Sequence, residues 1–162
     1  MIGLKASMEI NVLIEENLEQ YLEADWLRSI TEHILTAQET SSSVELGLVI
    51  TSQERVQQLN WAYRERNEPT DVLAFSSVEE PRQDSPPFVV PPDGVLHLGE
   101  VVISYHQAVI QAEEHRLPVK KEVAILIIHG VLHLLGYDHD KPELERQMRA
   151  KEKEILNSVE VD

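Results

Sequence analysis

The chain has 162 residues, 42% of them apolar, and no cysteine; this suits one domain with one core and excludes a disulfide framework or a thiolate metal site. Any metal must therefore be held by histidine, carboxylate or carbonyl groups. A formal net charge of -15 argues against indiscriminate nucleic-acid binding by the whole surface, although the charge is uneven: residues 1–50 carry two basic and nine acidic side chains, residues 101–162 eight and eleven.

The N-terminus has too short an apolar run for a secretory signal. The longest apolar run, residues 123–135, is broken by two histidines and a glycine and falls short of a membrane span. A cytoplasmic protein with no membrane association is the expectation. In chain order, "MEINVLIEE" alternates apolar residues at Ile10, Val12 and Ile14 and predicts a strand. "YLEADWLRSITEHILTAQ" sets Leu22, Trp26, Leu27, Ile30, Ile34 and Leu35 on one helical face, and "SSS" at 41–43 ends it. "VELGLVI" predicts a second strand with Val44, Leu46, Leu48 and Ile50 on one side. Thr51 as N-cap and Glu54 as its capping-box partner then open a helix through "RVQQLNWAYRE". "DVLAFSS" is a third strand. Residues 77–97 hold five of the eight prolines and read as a long mobile loop within a single domain spanning 1–162. "LHLGEVVIS" is a fourth strand, and "YHQAVIQAEEHR" a short helix ending before Pro118. "KKEVAILIIHGVLHLL" is apolar nearly all round and predicts a buried central helix stopped by Gly136. Asp140 with Glu143 forms a second capping box opening the last, half-exposed helix, "PELERQMRAKEKEILNS".

The central helix carries the chemistry. His129 and His133 are four apart and share a face, so two imidazoles reach one metal from the same side. A glycine at a helix end takes the left-handed conformation that turns a chain back, and Gly136 would bring His139 round as third ligand. The offsets His129-x3-His133-x2-Gly136-x2-His139 are those of the metzincin zinc peptidases. Three neutral histidines leave a fourth zinc position open, as catalytic sites do. A buried pair of unpartnered imidazoles would be costly, and a shared Zn2+ removes that cost. Where the peptidases have their glutamate base, this chain has Gly130, which cannot move a proton. Glycine there costs about 1 kcal/mol relative to alanine, and the expected compensation is room for a backbone or a substrate. His33, His97, His106 and His115 lack such partners and predict surface or structural roles.

The string "HGVLHLLGYDH" at 129–139, with its intervening residues, resembles the signature of the YbeY family of metal-dependent endoribonucleases of ribosomal RNA maturation. "LNWAYRERNEPTDVLAFS" at 59–76 is similar to that family's Tyr-Arg and Pro-Thr-x-Val-Leu-x-Phe segment. "LGEVVIS" at 98–104 resembles its Leu-Gly-Asp strand, with Glu100 in place of the usual aspartate. The resemblance implies an α+β fold with a small mixed sheet of about four strands and a buried metal-carrying helix, and the predicted element order agrees. It implies one zinc per chain on His129, His133 and His139. It also implies a catalytic Arg64, whose planar fixed cation suits a phosphate gathering negative charge. Asp138 is read equally as an acceptor for a ligand histidine or as a cap of the turn, Tyr137 as packing against that turn. The implied activity is cleavage of single-stranded RNA in ribosomal RNA processing, with the ribosome or ribosome-associated proteins as partners. Two alternatives are a zinc hydrolase of another substrate, such as a peptidase with a displaced base, and a ribosome-associated binding protein with a structural metal.

Overall fold

The alternating segments assemble into one mixed sheet with helices on both faces. The computed structural model describes residues 8–38, 43–64, 70–76, 95–137 and 141–159. Among these, β1 (Met8–Ile14), β2 (Ser43–Thr51) and β4 (Val95–Ser104) run parallel in the order β1-β2-β4, and β3 (Val72–Ser76) lies antiparallel beside β4 as an edge. The helices are α1 (Ala24–Ala37), α2 (Gln53–Arg64), α3 (Tyr105–His115), α4 (Val119–Leu134) and α5 (Pro142–Ser158). The α+β reading with a four-stranded mixed sheet holds.

Several boundaries differ from expectation. α1 begins at Ala24, after a 3-10 turn at Glu16–Leu18, although Leu22 still reaches the core. The N-cap of α2 is Ser52, whose Oγ accepts from the Arg55 N–H at 3.1 Å. Thr51 is instead held in the sheet opposite Ser104 and donates its hydroxyl to Glu15 Oε2 at 3.3 Å. β4 starts at Val95, paired with Ser43, so residues 95–97 belong to a strand rather than to the proline-rich loop. The remainder of that loop, 77–94, lies outside the described residues. At α5 the N-cap is Lys141, which makes no side-chain capping bond, and Pro142 takes the first helical position, which needs no N–H. Asp140 lies outside the described residues.

A one-residue bulge sets the faces of β4. Glu45 pairs with His97 but Leu46 with Gly99, leaving Leu98 as the extra residue. Gly99 has φ +128°, a conformation that side chains disfavour. The slip reverses parity: Leu96 and Leu98 face the large core before it, Val101 and Ile103 after it. That core is shared with α1, α3, α4 and α5. On the other face, Val102 and Leu73 form a small cluster with Val56 and Leu59 of α2. Full burial of a Val or Leu side chain is worth about 1.5–3 kcal/mol, so α2 is held by a few such contacts. α4 buries ten of its sixteen residues and is the firmer platform.

One of those ten is a charge. Glu122 is 2% exposed, accepts from Gln111 Nε2 at 3.1 Å and pairs with His115 Nδ1 at 3.0 Å, tying α3 to α4. The hydrogen bond and charge of Glu122 raise the His115 pKa above its ordinary value. Because the folded value is raised, the added stability is fully present below the unfolded pKa, about 6.5, and is lost as pH rises through the folded value. The Tm difference between wild type and His115→Ala is therefore expected to be larger at pH 5.5 than at pH 8.5; an equal or reversed difference contradicts the assignment.

Candidate active site

The i, i+4 spacing on α4 brings His129 and His133 together, with ring centroids 4.7 Å apart and planes at 73°. Both rings are partly buried. Between them on the helix, Gly130 faces the sheet. A Cβ at that position would stand 2.6 Å from Val101 Cγ1 and 3.1 Å from Cγ2, closer than real contacts allow. The space left by the missing side chain is thus filled by Val101 of β4, not by a backbone or a substrate. Glycine there lets the histidine helix lie close on the sheet.

The end of α4 is built to reverse the chain. Gly136 has φ +103°. Its N–H bonds the His133 carbonyl at 3.1 Å, and the Tyr137 N–H bonds the Leu132 carbonyl at 3.0 Å, the paired pattern of a Schellman cap. Tyr137, expected to pack against the turn, packs against the large core and donates its hydroxyl to Gln38 Oε1 at 2.9 Å, fixing the turn to the end of α1. His139 and Asp138 follow directly and lie outside the described residues. Among the described residues no group of three or more His, Cys, Asp or Glu is placed to hold a metal.

Behind His129 stands a carboxylate absent from the sequence reading. Its Nδ1 lies 2.9 Å from Glu152 Oε1 on α5. The two side chains are 34% and 25% exposed and line a cleft of about 600 Å³ between α4 and α5, with Ile125, Ile128, Met148 and Leu156 as its apolar wall. The signal in the sequence is a carboxylate on an apolar stripe: Met148, Glu152, Ile155 and Leu156 share one face of α5 at helical spacing.

α2 ends at Arg64 and packs Val56 and Leu59 on the opposite face of the sheet from α4. α2 leads into the edge strand β3, on which α4 also packs. In the turn that ends at Arg64, Trp61 and Tyr63 are 58% and 71% exposed, and Tyr63 meets Phe75 of β3 edge-on at 5.3 Å. Glu100 lies on this same face, across Gly47, and borders an open cleft of about 1050 Å³ with Tyr63 and Phe75. The other histidines have the structural surroundings expected: His33 bonds Ser158, His97 pairs with Glu45, His115 with Glu122, and His106 is exposed. Among the described residues no helix is long and apolar enough to cross a membrane.

Sheet, buried helix and histidine pair define an α+β domain whose central helix presents imidazoles at a cleft. The family model described as Endoribonuclease YbeY matches residues 9–160. The relatives include Endoribonuclease YbeY of Dehalococcoides mccartyi strain BAV1, 47% identical over 146 residues, covering 88% of this chain and 91% of that protein. The Roseiflexus sp. RS-1 protein of the same name is 40% identical over 140 residues, covering 86% and 85%. A solved structure, the solution structure of TM1509 from Thermotoga maritima, shares the fold with TM-score 0.59 and 25% identity over 91% of this chain and 87% of that one. The chain belongs to the endoribonuclease YbeY family. It is accordingly an endoribonuclease, a hydrolase acting on RNA.

Proposed function

We propose that this endoribonuclease depends on one zinc ion per chain held by His129, His133 and His139, prefers single-stranded RNA, and acts in ribosomal RNA processing and ribosome maturation in the cytoplasm. The observation that carries the zinc reading is the imidazole pair on α4, 4.7 Å apart, with a carboxylate on the Nδ1 of His129. Neutral imidazoles backed by carboxylate are the donors of a borderline cation such as zinc, not of magnesium or calcium, which take oxygen. When bound, zinc supplies a Lewis acid for a phosphate oxygen and makes a water molecule more acidic.

The protein's own part is to hold and neutralise the phosphate. Arg64 binds the non-bridging oxygens through its planar fork and gains strength as negative charge builds there. Trp61 and Tyr63, exposed in the last turn of the same helix, support the single-strand preference, because unpaired bases stack on aromatic faces and paired ones are not available to do so. The net charge of -15 supports docking through ribosome-associated proteins, since the surface as a whole repels phosphate. The peptidase alternative loses support at Gly130, where a glutamate has no room beside Val101.

Arg64→Ala tests this reading. Removing one charge-stabilising donor costs roughly 10²–10³ in kcat. On a single-stranded RNA oligonucleotide the variant is expected to lose that much while keeping wild-type zinc content and Tm. Cleavage at the wild-type rate removes Arg64 from the mechanism.

A further inference from the structure

The carboxylate on α5 raises a question that its charge alone does not answer. Glu152 occupies the core-facing stripe of a helix that is otherwise polar, four residues after the buried Met148 and three before the buried Ile155. An apolar residue there would add to the packing, whereas a carboxylate must be desolvated and then satisfied. Its Oε1 lies 2.9 Å from His129 Nδ1, 23 residues away along the chain. An ionised carboxylate only accepts hydrogen bonds, so the proton between them belongs to Nδ1. In a neutral imidazole this leaves the lone pair on Nε2, and which ring nitrogen bears the proton is set by the bond that the other makes.

We infer that Glu152 is a positioning residue for the metal site: it holds His129 in the Nδ1–H tautomer and fixes its ring rotation, so that Nε2 is the ligating atom. This rests on the proposed role of His129 as a ligand. The carboxylate is supplied from a second helix, where it orients a histidine instead of taking a proton from water. The α4–α5 contact becomes part of the site, and α5 is more than a cover for the core.

Zinc affinity, measured on the purified full-length chain by competition with a chromophoric chelator, tests the inference together with the imidazole nitrogen spectrum of the zinc-free protein. The wild type is expected to show His129 protonated on Nδ1, the nitrogen that faces Glu152. Glu152→Leu, which suits the apolar stripe, is expected to keep or raise Tm, to shift that tautomer toward Nε2–H, and to weaken zinc binding roughly 10–100-fold. Glu152→Ala is expected to weaken it equally, and Glu152→Gln, which keeps an acceptor oxygen, to fall between it and wild type. A merely structural tie would change Tm and leave affinity alone. Either folded variant, Leu or Ala, binding zinc within twofold of wild type overturns the inference. If it does so while His129→Ala abolishes binding, positioning by Glu152 fails and the ligand reading stands. If the wild type binds no stoichiometric zinc, both fall.

Discussion

Gly130→Glu, the change that writes the peptidase motif into this chain, is expected to cost about 3 kcal/mol or more of stability and to create no peptidase. The first Cβ already meets Val101 at 2.6 Å, and the neighbour is a β-branched side chain fixed in the middle of β4. Overpacking a core by a few atoms costs about 1–3 kcal/mol, and a carboxylate without a partner there adds its own desolvation. Against a total stability of 5–15 kcal/mol this is a large share, and for a domain of this size it lowers Tm by roughly 6–12 °C. Gly130→Ala is expected to do less, because the better helix propensity of alanine returns about 1 kcal/mol. Val101→Ala should relieve the Gly130→Ala variant, giving a coupling between the two sites in a double-mutant cycle. Thermal denaturation of the four proteins checks this; a Gly130→Glu protein as stable as wild type contradicts the packing account.

His133→Ala is expected to remove both stoichiometric zinc and RNA cleavage while leaving the protein folded. His133 is half-buried near the end of α4, and its neighbours Leu132 and Leu134, not the imidazole, fill the core. The loss therefore falls on the site and not on the packing. Metal-assisted stabilisation of a transition state is worth several kcal/mol, which at about 1.36 kcal/mol per decade is roughly 10³-fold in rate or more. Metal analysis and single-turnover cleavage of the same preparation check it. A His133→Ala protein that retains one zinc per chain and cuts at the wild-type rate removes this histidine from the site.

What could be read from the sequence follows the physics of each element. Val44, Leu46, Leu48 and Ile50 alternate because β2 lies between two strands with one face in the large core, so a period of two survives in the letters. α4 reads as central because few of its faces meet water. The His129–His133 pair is legible for the same reason: helical spacing alone puts both rings on one side. The bulge at Leu98 and Gly99 is not legible, because an extra residue exists only relative to β2. Thr51 and Ser52 are both good caps, and only pairing with Ser104 decides that Thr51 stays in the sheet. Gly130 was readable as space, but what fills the space is a side chain 29 positions earlier. Glu152 was hidden by its neighbours, since a helix so rich in charge makes a single carboxylate on its apolar stripe easy to pass over.

The most direct test of the account is the RNA-cleaving activity of wild-type protein stripped of metal and titrated with zinc. The account predicts no cleavage of a single-stranded oligonucleotide after stripping, and recovery that saturates at one zinc per chain. Full activity in the metal-free protein contradicts it.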